Sequence, residues 1–201
     1  PAYTHTQRAQ PVRAAHWALA HAWPLARDRA RGADARRRTV VLPLGSGAVA
    51  GSGFAVDRRA LAARLGFAAV TPNSLDAVGD RDYAIEAVFV AALAATHASR
   101  LAEDLILFST AEFGFVVLPE SFTTGSSLMP QKRNPDALEL ARGAAGQVMG
   151  RLVAMLVTLK GMPAGYQKDL QENNAALFDA LDRVTLVAEM LEGVVAGLRL
   201  V

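Results

Sequence analysis

No cysteine occurs in the chain, which excludes disulfides and thiolate chemistry and agrees with a reducing, cytoplasmic setting. Histidine, aspartate and glutamate are nowhere grouped at metal-ligand spacing, so no metal is expected. The longest strongly apolar run, Ala87 to Ala95, falls far short of the roughly 20 residues needed to cross a bilayer. Pro1-Ala2-Tyr3-Thr4-His5 has neither a basic lead nor an apolar stretch, so no signal peptide is read there and no membrane partner is expected. Arginine is concentrated in Arg27, Arg29, Arg31, Arg36, Arg37 and Arg38, but no aromatics interleave with it. A nucleic-acid patch is one reading; the missing aromatics favour a solvated helix end that suits the negative pole of the helix dipole. With 52% hydrophobic and 20% charged residues the balance is that of a globular chain, long enough for one sizeable core.

What is present is mostly helical periodicity. Val12, Ala15, Leu19 and Ala22 share one face of a helix expected from Pro11 to about Asp34, with a kink at Pro24. Residues 39–56 are too glycine-rich for a helix and read as a looping connection; a short strand at 39–42 has no obvious partner. Asp57 caps a short helix closed by Gly66. A connection through Thr71-Pro72-Asn73-Ser74 leads to a long helix from Asp80 to about Ser109, with Ile85, Val88, Phe89, Ala92, Leu93, Leu101 and Leu105 at helical spacing. A polar loop over 110–134 precedes a helix over 135–160, in which Leu138, Ala141, Ala145, Val148, Leu152, Met155 and Leu159 recur every three or four residues. Gly143, Gly146 and Gly150 cost this helix propensity and are expected to permit tight contact. A last helix runs from about Asn174 to the end, with Leu177, Leu181, Val184 and Leu191 inward. The pattern predicts a single all-α domain over 1–201, a long-helix bundle. The chain opens within a functional motif and closes in helix, as a piece of something longer would.

Three polar clusters stand out. Gly125-Ser126-Ser127-Leu128-Met129-Pro130-Gln131-Lys132-Arg133-Asn134-Pro135-Asp136 reads as a loop feeding a helix, with Asn134 as N-cap, Pro135 at the first helical position, and Asp136 and Glu139 in the first turn. Taken alone, it is either an ordinary capped helix start or an anion site served by Lys132 and free backbone N–H groups. Thr4-His5-Thr6-Gln7-Arg8-Ala9-Gln10-Pro11 is dense in donors just before a helix. Asn73-Ser74-Leu75-Asp76-Ala77 with Asp80-Arg81-Asp82 forms another polar group, and Tyr166-Gln167-Lys168-Asp169-Leu170-Gln171-Glu172 follows later. Each alone is compatible with caps and solvated surface.

Together they resemble the fumarase/aspartase superfamily, and within it the argininosuccinate lyases, of which some serve as lens crystallins. Gly125 to Pro135 looks like the superfamily signature. Thr4 to Pro11 looks like the family's second active-site segment, with Thr6 where leucine is usual. Asn73 to Ala77, Asp80 to Asp82 and Tyr166 to Glu172 point to the argininosuccinate lyases, as do Gln131 and Arg133 in place of the glycine and valine typical of fumarase and aspartase.

The resemblance implies the central helical domain of a homotetramer that eliminates arginine from argininosuccinate, leaving fumarate, without metal or organic cofactor and without a nucleic-acid partner. Ser126 matches the proposed base, Lys132 the group that holds the developing dianion, and His5 with Glu139 a charge-relay pair. Thr4, Asn134, Tyr166 and Gln171 match substrate-binding positions, and Arg81 and Asp82 positions that hold the mobile signature loop. Two departures are visible. Asn173-Asn174 stands where the family usually has Asp-Lys, which removes a positive charge from the carboxylate pocket. Nothing in the chain resembles the first active-site segment. A catalytically weakened scaffold protein and a lyase for another succinyl adduct are the alternatives.

Overall fold

The computed structural model describes all residues from Pro1 to Val201. The chain opens with a hairpin of β1 (Tyr3–Thr4) and β2 (Gln7–Arg8) and passes into α1 (Ala14–Thr39). Next come β3 (Val41–Leu42), α2 (Arg58–Leu65), β4 (Ala69–Val70), α3 (Ser74–Gly79) and α4 (Asp82–Phe108). Strand β5 (Val116–Val117), a 3₁₀ turn at Glu120–Phe122, β6 (Thr124–Gly125) and β7 (Arg133–Asn134) precede α5 (Asp136–Leu159). A 3₁₀ turn at Lys168–Gln171 leads into α6 (Glu172–Ala196), and β8 (Arg199–Leu200) closes the chain.

Helices α4, α5 and α6 form the bundle, and α1 lies against α4. The core has two parts. In one, Ala84 to Ala95 of α4 meet Ala145, Val148 and Met155 of α5 and Ala176 and Ala180 of α6. In the other, Ala98, Ala102 and Leu105 meet Leu138, Ala141, Val187, Leu191 and Val194. The early half of α4 therefore faces the late half of α5, which makes α4–α5 and α5–α6 antiparallel. Alanine at so many contact positions lets the axes approach closely. Fully burying Leu105 and Leu138 contributes about 1.5–3 kcal/mol each. By length and composition α4 would suffice to cross a membrane. Here it is the central helix of the bundle, and its late half carries His97, Arg100, Glu103 and Asp104.

The all-α reading, the short Asp57-capped helix and the inward stripe of α5 are as the periodicity predicts. The Asp57 carboxylate accepts from the N–H groups of Arg59 and Ala60 at 3.0 Å, and Gly66 is left-handed. Elsewhere the structure corrects the reading. Helix α1 starts at Ala14 and runs on through Pro24 to Thr39. The residues expected inward, Val12, Ala15, Leu19 and Ala22, are exposed, as are Phe89 on α4 and Leu181 on α6. Asn134 is not an N-cap: it pairs with Thr124 across β6–β7, Pro135 takes the cap position, and no side chain caps α5. A Cβ at Gly143, Gly146 or Gly150 would meet nothing within 4 Å, so within this chain these glycines make no tight contact. The strand near 39–42 does find a partner, since β3 runs parallel to β4. The chain does not end in helix either, because Leu200 pairs with Val116 antiparallel. Helix α3 is not among the helices that the periodicity predicts, although its N-cap is plain in the sequence: Asn73 Oδ1 accepts from Asp76 N at 3.0 Å.

Candidate active site

The signature loop is tied at its base. Thr124 faces Asn134 and Gly125 faces Arg133 across β6–β7. The Thr124 hydroxyl donates to the Asp136 carboxylate at the start of α5. Inside the loop, Met129 N donates to Ser126 Oγ at 3.1 Å and Lys132 N to the Met129 carbonyl at 2.9 Å. An N–H aimed at a hydroxyl oxygen stabilises that oxygen as it gains negative charge. The Lys132 ammonium forms no ion pair or hydrogen bond within the chain and stands exposed.

Lys132, Asn134, Asp136 and Glu139 line an open polar cleft of about 610 Å³ at the head of α5. Its opposite wall is the end of α4, which contributes Ser109 and Thr110. Both hydroxyls donate back to carbonyls of the last α4 turn, at 2.9 and 2.7 Å. No local signal singled these two residues out, because they become neighbours of the signature only through the α4–α5 packing. The first turn of α5 adds the partial positive charge of a helix N-terminus. Two basic side chains, Lys132 and Arg133, and two carboxylates, Asp136 and Glu139, thus line one cleft beside the Ser126 loop.

His5 sits at the tip of the β1–β2 hairpin, with its ring exposed and unpaired. His5 and Thr6 both adopt the left-handed backbone, at φ 56° and 55°. That is the twist a two-residue hairpin turn demands, and a β-branched residue adopts it at a cost. Tyr3 anchors the hairpin edge-on to Phe113 at 5.1 Å between ring centroids, with Phe108 and Phe115 around it. The hairpin and the cleft therefore use the same end of α4. Even so, His5 forms no hydrogen bond with Glu139, whose one ion pair is with Arg142, at 3.9 Å. An apolar groove of about 570 Å³ lies beneath the hairpin, between Tyr3, Trp17 and Phe108, apart from the signature loop.

The remaining residues gather at the other end of the bundle. Arg81 and Asp82 begin α4, and Tyr166 and Gln171 lie between α5 and α6. Arg81 and Tyr166 share an open cavity of about 790 Å³ with the glycine loop around Gly45 and Ser46. The Arg81 guanidinium donates to the Asp80 carbonyl at 2.6 Å, and Asp80 Oδ1 accepts from Asp82 N at 2.8 Å. The turn before Tyr166 is pressed onto α3 so closely that a Cβ at Gly79 would lie 2.8 Å from the Gly165 carbonyl oxygen. Helix α5, 24 residues and so about 36 Å long, separates this group from the cleft. One copy of the chain does not bring the two groups together.

The family model described as Lyase matches residues 1–150. The chain belongs to this lyase family. Among curated relatives of the lyase, the argininosuccinate lyase of Roseiflexus sp. (strain RS-1) is 60% identical over 199 residues, covering 99% of this chain and 44% of the relative. That of Herpetosiphon aurantiacus is 56% identical over 199 residues, with the same coverage. Among solved structures, EDDS lyase in complex with formate superimposes with a TM-score of 0.88 at 35% identity, covering 99% of this chain and 39% of the other. The chain thus spans less than half the length of the relatives it matches, and over that span the resemblance to the argininosuccinate lyases holds almost end to end.

Proposed function

We propose that the full-length protein is a cytoplasmic argininosuccinate lyase and that residues 1–201 form its central helical domain. The observation that carries this reading is the cleft at the head of α5, where Lys132, Asn134 and Glu139 meet beside the Ser126 loop. Elimination needs a base for a weakly acidic Cβ proton, a cation for the carboxylate that takes up the charge, and an acid for the departing nitrogen. Ser126 takes the proton, with its oxygen already receiving the Met129 N–H. The Cβ–H electron pair becomes the Cα=Cβ bond of fumarate, and the Cα–N pair leaves with the guanidino nitrogen of arginine. Lys132 holds the developing dianion and Asn134 a substrate carboxylate. His5, oriented by Glu139, relays the proton to the leaving group. Thr4, Tyr166 and Gln171 bind substrate, while Arg81 and Asp82 position the signature loop. None of these steps calls on a metal or organic cofactor.

Because the two groups of residues lie at opposite ends of α5, the site is assembled from several copies, in a homotetramer. Leu140, Met149, Val153, Leu156 and Val157 on α5 and Phe178 and Leu186 on α6 are exposed and supply apolar area for such contacts. Asn174, in place of the usual lysine, favours a second reading in which turnover is weakened or the succinyl adduct differs. The test is absorbance of fumarate released by the full-length protein from argininosuccinate, then from adenylosuccinate. No fumarate from argininosuccinate at any concentration would sink the first reading, and fumarate from adenylosuccinate instead would establish the second.

A further inference from the structure

Helix α1 buries only Asp28 and Ala35, and its large apolar side chains Leu19, Trp23 and Leu25 are exposed. An apolar stripe therefore does not hold it to α4. Apart from Trp17, which packs on the core beside Phe108, what holds it is a set of directional polar rungs. His97 Nδ1 on α4 lies 2.6 Å from Asp28 Oδ2 on α1. His21 Nε2 on α1 lies 2.9 Å from Asp104 Oδ2 on α4, and the same oxygen accepts from Trp17 Nε1 at 2.9 Å. Farther along, Arg38 Nε donates to Glu86 at 2.6 Å.

The two histidine–aspartate rungs are seven residues apart on each helix (21 and 28; 97 and 104) and have opposite polarity. The carboxylate belongs to α1 in one and to α4 in the other. Sliding α1 by that repeat in one direction would set Asp28 against Asp104; sliding it the other way would set His21 against His97. A slide of one turn, about 5.4 Å, would break both rungs. It would strand Asp28, whose side chain is 7% exposed, and His97, at 13%, without partners. A buried unpaired charge is costly, so only one register is favoured. The other charged neighbours reinforce it: Arg31 Nη1 donates to Asp28 at 2.9 Å, and Arg100 adds positive charge near Asp104. Burial pushes the Asp104 carboxyl up, but the hydrogen bonds from His21 and Trp17 and the charges of His21 and Arg100 more than offset it, so its pKa lies below the usual value.

This register reaches the hairpin. Ala2 N donates to the Gln10 carbonyl and Ala9 N to that of Ala2, both at 2.8 Å, so the ribbon stays paired out to Gln10. Only Pro11 to Arg13 separate it from α1. Trp17, in the first turn of α1, packs on Phe108 at 5.6 Å between ring centroids, and Phe108 also borders Tyr3 of the hairpin.

We propose that Asp28, His97, His21 and Asp104 are positioning residues that set the axial register of α1 on α4, and with it the height at which the hairpin presents His5. The consequence for turnover rests on the lyase reading; the consequence for the hairpin does not. In the full-length protein, Asp28→Asn and His97→Gln are expected to lower kcat by about tenfold to a hundredfold, the scale of a misplaced catalytic group, with KM little changed. Amide hydrogens of residues 2–10 should exchange faster in both variants. The exchanged pair Asp28→His with His97→Asp restores the rung; both carboxylates then lie on α4, but only the native register keeps two rungs, so kcat and protection are both expected to recover. Unchanged kcat and exchange in the single variants would overturn the proposal, as would loss in the singles that the exchanged pair fails to recover. Should the wild type release no fumarate from argininosuccinate, the lyase reading falls and the exchange of the hairpin amides decides the register claim: faster in the singles and recovered in the pair upholds it, unchanged refutes it.

Discussion

The Thr124 hydroxyl donates to the Asp136 carboxylate, joining the last residue-pair before the signature loop to the first turn of the helix that follows it. This bond and the two-residue β6–β7 ladder are what fix the loop ends. Thr124→Val keeps the shape and removes the donor, leaving Asp136 to the helix dipole alone. Loss of one hydrogen bond to a charged group is expected to cost about 1.5–3 kcal/mol. Faster proteolysis within residues 126–132 and a lower kcat for fumarate release check this; an unchanged cleavage rate would show that the ladder suffices.

Thr6 carries the strain of the His5 turn. A β-branched residue in the left-handed region costs about 1–2 kcal/mol, part of which glycine avoids. Thr6→Gly is therefore expected to stabilise by about 1 kcal/mol, raising the melting midpoint by about 2–4 °C. A lower midpoint in thermal unfolding would mean that the hydroxyl, which donates to the His5 carbonyl at 2.7 Å, outweighs the strain.

Asn173 is 2% exposed, and neither its Oδ1 nor its Nδ2 has a partner in the chain. An unsatisfied buried amide costs about 1–3 kcal/mol, and leucine of similar shape removes that cost. Asn173→Leu is expected to raise the urea midpoint with the slope unchanged. A fall instead would reveal a polar partner brought by a neighbouring copy.

Asn174, next to it, is exposed at the start of α6, three positions beyond Gln171. Asn174→Lys would put a cation at the position where, on the proposed reading, a substrate carboxylate binds. One charge-assisted hydrogen bond of about 1.5–3 kcal/mol corresponds to a gain in kcat/KM of about tenfold to a hundredfold. Steady-state kinetics on argininosuccinate give the answer, and no gain would favour a different succinyl adduct.

Asp179 on α6 accepts from the Nε atoms of Arg183 and of Arg151 on α5, both at 2.8 Å. The hydrogen bond from Arg183, then that from Arg151, lower its pKa to about 2. A carboxyl depressed in the folded state contributes stability above its unfolded value, about 3.9, and loses it as pH falls through the folded value. The difference in unfolding midpoint between wild type and Asp179→Asn should therefore shrink from about pH 4 to about pH 2. A constant difference across that window would rule out Asp179 ionisation as its cause.

Much of the architecture was legible because helices announce themselves locally. The recurrence from Leu138 to Leu159 marked the buried face of α5, and Asp57 and Gly66 bounded α2 as their chemistry requires. The signature around Ser126 and Lys132 is legible as a motif, and the fold sets Lys132, Asn134 and Glu139 along one cleft. Other features depended on partners that local pattern does not name. Asn134 reads as a cap because it precedes a helix, yet it pairs with Thr124 across the loop in a ladder. Val12, Ala15, Leu19 and Ala22 share a face and so read as inward, yet α1 meets α4 through Asp28, His21 and Trp17 instead.

By itself the sequence determined the course of the long helices α4, α5 and α6 and which face of α5 is buried, because these follow from residue type at spacings of a few positions. The tertiary structure alone decided which of those groups meet. It set Ser109 and Thr110 opposite Lys132, joined strands separated by whole helices, aligned histidine with aspartate across α1 and α4, and put Tyr166 and Glu139 at opposite ends of one helix. Those outcomes depend on contacts between residues distant in the chain, where the free energy of packing and not local propensity selects the arrangement.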